Sequence, residues 1–127
     1  MRGIWFFPVI ALIGLPAAAH HSSAQYDNNA RITVTGVVTN LDWANPHSHL
    51  YVDAIDEHNA AVKWQFDLPS VNRLVRLGWS HHVLNPGDHV TVTAARGRTI
   101  PTVAWAINVV DPSGKKLFVD SGTETPP

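Results

Sequence analysis

A small, mostly β barrel is the fold this sequence predicts, and three observations predict it. Five runs rich in Val, Ile, Thr and aromatic residues alternate apolar and polar positions with the period of two expected of half-buried strands. One stretch, between the third and fourth runs, instead has the three/four spacing of a helix. A glycine, Gly36, interrupts the long first run, where it marks a bulge or a sharply coiled strand. Three strands, a helix and two strands with a short addition match the oligonucleotide/oligosaccharide-binding (OB) barrel, whose helix plugs one end. The expected fold is therefore a five- to six-stranded OB-like barrel, with a β-sandwich as the alternative.

The elements follow in order. Residues 31–41 carry Ile32, Thr33, Val34, Thr35, Val37, Val38 and Thr39 and form the first strand. In residues 48–56, Leu50, Val52 and Ala54 share one face, with His49, Tyr51, Asp53 and Ile55 on the other. Glu57, His58 and Asn59 form a turn, and residues 61–68 point Val62, Trp64, Phe66 and Leu68 inward. Pro69 and Ser70 start a helix of about two turns, Val71, Leu74, Val75 and Leu77 give it a buried stripe, and Gly78 stops it. The Leu84 to Asp88 stretch is a turn signal, and the fourth strand, residues 89–95, turns Val90, Val92 and Ala94 to one side. Residues 102–110 place Val103, Trp105, Ile107 and Val109 together on a fifth strand, and residues 116–119 close the fold.

The amino terminus reads as a secretory signal. Arg2 precedes an apolar run from Ile4 to Leu15, too short for a membrane span of roughly twenty residues, and Ala17 and Ala19 supply small side chains ahead of His20. Cleavage between Ala19 and His20 divides the chain into a signal peptide (1–19), an N-terminal arm (20–31), one OB-like domain (32–119) and a disordered tail (120–127). The product is expected to be periplasmic or secreted, with no stable membrane anchor after cleavage.

Composition narrows the chemistry. The formal net charge of −1 gives no electrostatic footprint for nucleic acid. There is no cysteine, and the single methionine is Met1, so thiolate, disulfide and thioether-rich Cu(I) chemistry are excluded. Eight histidines are many for so short a chain, and all lie beyond residue 19. Catalytic patterns are absent: the serines lack a nucleophile elbow, and neither an HExxH motif nor a phosphate-cradling loop occurs. The chain reads as a binding protein rather than an enzyme.

A histidine at a free amino terminus chelates a metal through its α-amine and a ring nitrogen, which makes His20, followed by His21, the first candidate ligand. Between the first two strands, Trp43, Ala44, Asn45, Pro46, His47, Ser48 and His49 form the strongest internal constellation. His47 and His49, two residues apart, point the same way in an extended segment and face one ion together. His58, His81, His82 and His89 read as surface residues. Imidazole-rich, sulfur-free ligation favours Cu(II), with zinc or nickel as alternatives, and weakens below about pH 6 as imidazole protonates. The alternative partner is a small molecule, glycan or protein recognised by Trp43, Trp79 and Asn45, with no metal.

The chain beyond residue 19 also resembles a family of small exported bacterial proteins classed as a domain of unknown function. The resemblance is carried by His20, His21 and Ser22, by Tyr26 and Asp27, by Thr35 to Val38, by the Trp43 to His47 stretch with its W-x-N-P-H pattern, by Tyr51 to Asp53, by Trp64 and Phe66, by Gly78 and Trp79, and by Leu84 with Pro86 to Asp88. It implies an exported single domain and supplies no activity.

Overall fold

The computed structural model describes residues 25–119 and shows the expected mostly β fold. The signal peptide, cleavage site, His20, His21 and the tail lie outside the described residues. Six strands run in the order β1 (Tyr26–Asp42), β2 (His49–Ile55), β3 (Ala61–Asp67), β4 (His89–Gly97), β5 (Val103–Val110) and β6 (Lys116–Phe118), with the helix α1 (Val71–Arg76) between β3 and β4. They form one sheet ordered β3-β2-β1-β4-β5-β6, and a parallel pairing of β3 with β5 joins the first five into a ring. That closure distinguishes a barrel from a sandwich of two separate sheets.

β1 is long because it serves both halves of the ring. Residues up to Val37 pair with β4, and from Gly36 onward the strand pairs with β2. Glycine is required at that crossing: a Cβ on Gly36 would lie 2.4 Å from the Asp53 carbonyl oxygen. The bulge itself falls further on, between Val38 and Asn40. β1 also begins five residues earlier than the sequence suggests. Tyr26 and Asp27 pair with Gly97 and Arg96, Asn28 to Ala30 are passed over in the register, and pairing resumes at Arg31. Backbone pairing to β4 here outweighs the poor strand propensity of the asparagines.

The barrel interior holds Val38, Leu50, Val52, Phe66, Leu68, Leu74, Leu84, Val90, Val92 and Val109. Each large side chain buried here contributes about 1.5–3 kcal/mol. β5 departs from the simple alternation. Ile107 is an extra residue between the pairs Thr93–Asn108 and Ala94–Ala106, so Ala104, Ala106 and Val109 face inward. Val103, Trp105 and Ile107 instead join Tyr26 and Ala95 in a second, outer cluster. Small residues at Ala94, Ala104 and Ala106 leave interior space for Phe66 and the leucines.

The helix is shorter and less buried than its apolar stripe suggests. Ser70 caps it by accepting from the Arg73 N–H, and Gly78 ends it at φ 91°. Leu74 alone is buried, whereas Val75 is 55% exposed and Leu77 39%. A helix of six residues presents one side chain to the barrel end per turn, and Leu74 takes that position.

Candidate functional site

The β1–β2 loop is built rigidly. Ser48 is fully buried, and its hydroxyl donates to the Ala44 carbonyl and accepts from the Ala44 N–H, closing the loop on itself. Backbone bonds from Ser48 N–H to Pro69 O and from Leu68 N–H to Ser48 O fasten it to the start of the helix segment. Asn45, whose peptide to Pro46 is cis, accepts from the Val71 N–H and so satisfies a free donor of the helix N-terminus. Its side-chain oxygen is therefore spent on structure.

This loop forms one wall of a cleft of about 440 Å³ that also involves Gln25, Tyr26, Asp42, His47, His49, Asp67 and Trp105. A second cleft of about 390 Å³ adjoins it, sharing Gln25, Tyr26 and Asp67 and continuing along Gln65, Thr99, Ile100 and Val103. The two lie at the β1–β2 and β4–β5 loops, the region through which OB-type barrels take ligands.

His47 and His49, paired on spacing alone, do line one cleft. His49 faces Asp67 across the β2–β3 ladder, and its Nδ1 lies 2.8 Å from Asp67 Oδ1. A carboxylate oxygen accepts, so Nδ1–H is the donor, and in the neutral ring Nε2 keeps its lone pair. The His47 ring repeats the arrangement, with Nδ1 3.3 Å from the Leu68 carbonyl oxygen and the ring edge-on to Trp105. Anchoring one ring nitrogen to an oxygen so that the other is free is how metal-ligating histidines are held.

Asp67 is the hub of the site. Oδ1 accepts from His49 and, at 2.8 Å, from Gln65 Nε2, and Oδ2 accepts from the Tyr26 hydroxyl. Burial and the neighbouring Asp67 charge both penalise the Tyr26 phenolate, pushing its pKa well above the usual tyrosine value. Asp67, Gln65 and Gln25 belong to no motif in the sequence, and Tyr26 stands there only among the residues of the family resemblance. Their signal is the hairpin: a turn at residues 57–59 places Asp67 opposite His49 and Gln65 opposite Tyr51.

The remaining candidates separate. Trp79 is 3% exposed, packs in the barrel core and donates its indole N–H to the Phe118 carbonyl, so it is no surface platform. Trp43 is half-buried against the core, and His81 stacks on it with ring centroids 6.1 Å apart. His82 stacks on His81 in turn, with ring centroids 4.6 Å apart. His58 and His89 are exposed, as expected. Among the described residues, no three His, Asp or Glu side chains converge as a finished metal cage. Trp105, expected in the core, is 4% exposed but borders the cleft, and its indole N–H has no partner among the described residues.

A family model of unknown function matches residues 9–109, which take in the whole cleft. The chain belongs to the DUF6152 family. No curated protein and no solved structure matches it. DUF6152 membership thus agrees with the family resemblance read from the sequence, and the cleft of this DUF6152 protein has to be interpreted from its own geometry.

Proposed function

We propose that this chain, once exported to the periplasm and cleaved before His20, binds a transition-metal ion in the cleft, Cu(II) above others. The ligands are the amine and ring of His20 together with Nε2 of His47 and Nε2 of His49. One observation carries the reading: Gln25, five residues after His20, lines the same cleft as the two anchored histidines. Five extended residues reach about 17 Å, enough to return the terminal histidine to the cleft without the long arm that the sequence suggests.

The surroundings suit a cation. Asp42 and Asp67 line the cleft, and among the described residues no lysine or arginine does. Imidazole and amine donors without sulfur place Cu(II) highest among the first-row dications, ahead of nickel and zinc. His20 is the donor on which the proposal depends, since the described residues supply two free imidazole nitrogens and no complete cage. His21 remains adjacent as a further imidazole. Recognition of a neutral ligand by Trp43 and Trp79 has less support, because burial removes Trp79 from the surface.

Cu(II) titration tests the reading. Protein beginning at His20 is compared with the same protein acetylated at its α-amine, which removes the amine from the terminal chelate. Affinity is expected to fall by about tenfold or more in the acetylated form. Equal affinities defeat the proposal.

A further inference from the structure

The two clefts share one short element. Gln25 and Tyr26 line both of them, as does Asp67. Residues 25–27 join the body of β1 through Asn28, Asn29 and Ala30, which the register with β4 passes over. Beyond the ladder pairs of Tyr26 with Gly97 and Asp27 with Arg96, their ties to the barrel are few and polar. The Arg98 N–H donates to the Gln25 carbonyl at 2.8 Å, and Arg98 Nε donates to the Tyr26 carbonyl at 3.3 Å. The Arg98 guanidinium, more than half exposed, pairs with Asp27 at 3.7 Å, and the Tyr26 hydroxyl donates to Asp67. Solvated contacts of this kind each stabilise little. Beneath the segment lies Trp105, whose ring centroid is 5.8 Å from that of Tyr26 in the outer cluster. Its indole N–H is buried without a hydrogen-bond partner among the described residues, a costly arrangement for a donor.

We propose that residues 25–27 are a strap that lifts from the barrel as a unit, hinged at Asn28 to Ala30, and so governs access to one groove floored by Trp105. Lifting it removes the wall that Gln25 and Tyr26 give to both clefts, of about 440 and 390 Å³, and joins them. It also frees the Trp105 indole N–H to donate to water or to a carbonyl or hydroxyl oxygen of a ligand, so opening relieves the penalty that closure carries. The motion is local. Tyr26 and Trp105 belong to the outer cluster, and the inner one, built on Leu50, Phe66, Leu74 and Trp79, keeps its packing when the strap lifts. The inference stands independently of the metal reading.

Native-state hydrogen exchange of protein beginning at His20, followed at the indole N–H groups over sub-denaturing urea concentrations, tests the strap. Trp79 is the internal reference: it lies in the barrel core with its N–H bonded to the Phe118 carbonyl, so it exchanges through global unfolding with a steep dependence on urea. The Trp105 indole is as buried as that of Trp79, yet it should exchange about tenfold faster or more, with little dependence on urea. Arg98→Ala removes the side-chain ties to Tyr26 and Asp27 and should raise the urea-independent rate of Trp105 about fivefold. If Trp105 and Trp79 exchange together along the global slope, there is no local opening and the strap is refuted. If Trp105 exchanges locally at a rate that Arg98→Ala leaves unchanged, the opening lies elsewhere and the strap is refuted equally.

Discussion

His49 and Asp67 are cross-strand partners on the outer face of the β2–β3 hairpin, joined by a 2.8 Å hydrogen bond from Nδ1 to Oδ1. In the neutral ring that bond selects the Nδ1–H tautomer and leaves Nε2 unprotonated. Replacing Asp67 by Asn turns one of its two oxygens into an amide donor, so either the Tyr26 hydroxyl reverses from donor to acceptor or one partly buried bond is lost. Asp67→Asn is expected to destabilise the fold by about 1–3 kcal/mol, read by urea denaturation. Long-range ¹⁵N spectra of the His49 ring should show Nε2–H gaining population over Nδ1–H. An unchanged tautomer would mean that Asp67 does not orient the ring.

Tyr26 gives the fold an alkaline limit. Its raised pKa means that the folded state holds the phenolic proton more tightly than the unfolded chain does. The stabilisation is therefore complete below the unfolded tyrosine pKa of about 10 and is lost progressively as pH climbs above it. Tyr26→Phe should abolish that part of the alkaline loss while lowering stability at neutral pH by about 1 kcal/mol, for want of the bond to Asp67. Denaturation midpoints measured between neutral pH and pH 11 decide the matter; parallel slopes for the two proteins would contradict it.

Gly36→Ala tests the strand crossing. The added methyl would lie 2.4 Å from the Asp53 carbonyl oxygen and 2.7 Å from Val52 Cγ1, and the backbone oxygen belongs to a paired strand that has little room to yield. A loss of about 1–3 kcal/mol is expected in thermal or chemical denaturation. A neutral substitution would show that β1 and β2 adjust freely at the crossing.

Trp79 and Trp43 should differ in kind. Trp79→Ala opens a cavity in the barrel core and removes the indole bond to Phe118, at a cost of about 3–5 kcal/mol. Trp43 is half-buried, so Trp43→Ala should cost clearly less in the same assay. Equal costs would contradict the placement of Trp79 as a core residue and Trp43 as a rim residue.

Much of this fold is legible in residue patterns. Alternation in residues 48–56 and 61–68 marks β2 and β3 with their inward faces, and Pro69, Ser70 and Gly78 bracket the helix. His47 and His49 are legible as a pair from their spacing, and both line the cleft. Asp67 and Tyr26 are not, since their roles depend on register: Asp67 on the hairpin pairing with β2, and Tyr26 on a ladder to β4 that recruits a stretch poor in strand formers. Trp105 is legible as a buried residue but not as an outer one. The extra residue Ile107 breaks the alternation and separates Trp105 from Val109. Bulges of that kind are set by the strand opposite, and period counting along one strand does not reveal them.

The measurement that bears most directly on the metal cleft is paramagnetic broadening of the ¹H–¹⁵N spectrum of protein beginning at His20, at substoichiometric Cu(II). Signals from Gln25, Tyr26, His47, His49, Asp67 and the Trp105 indole should vanish first, while those of His58, His81, His82 and His89 persist. Broadening centred on the His81–His82 stack, or spread evenly over the exposed histidines, would contradict the account.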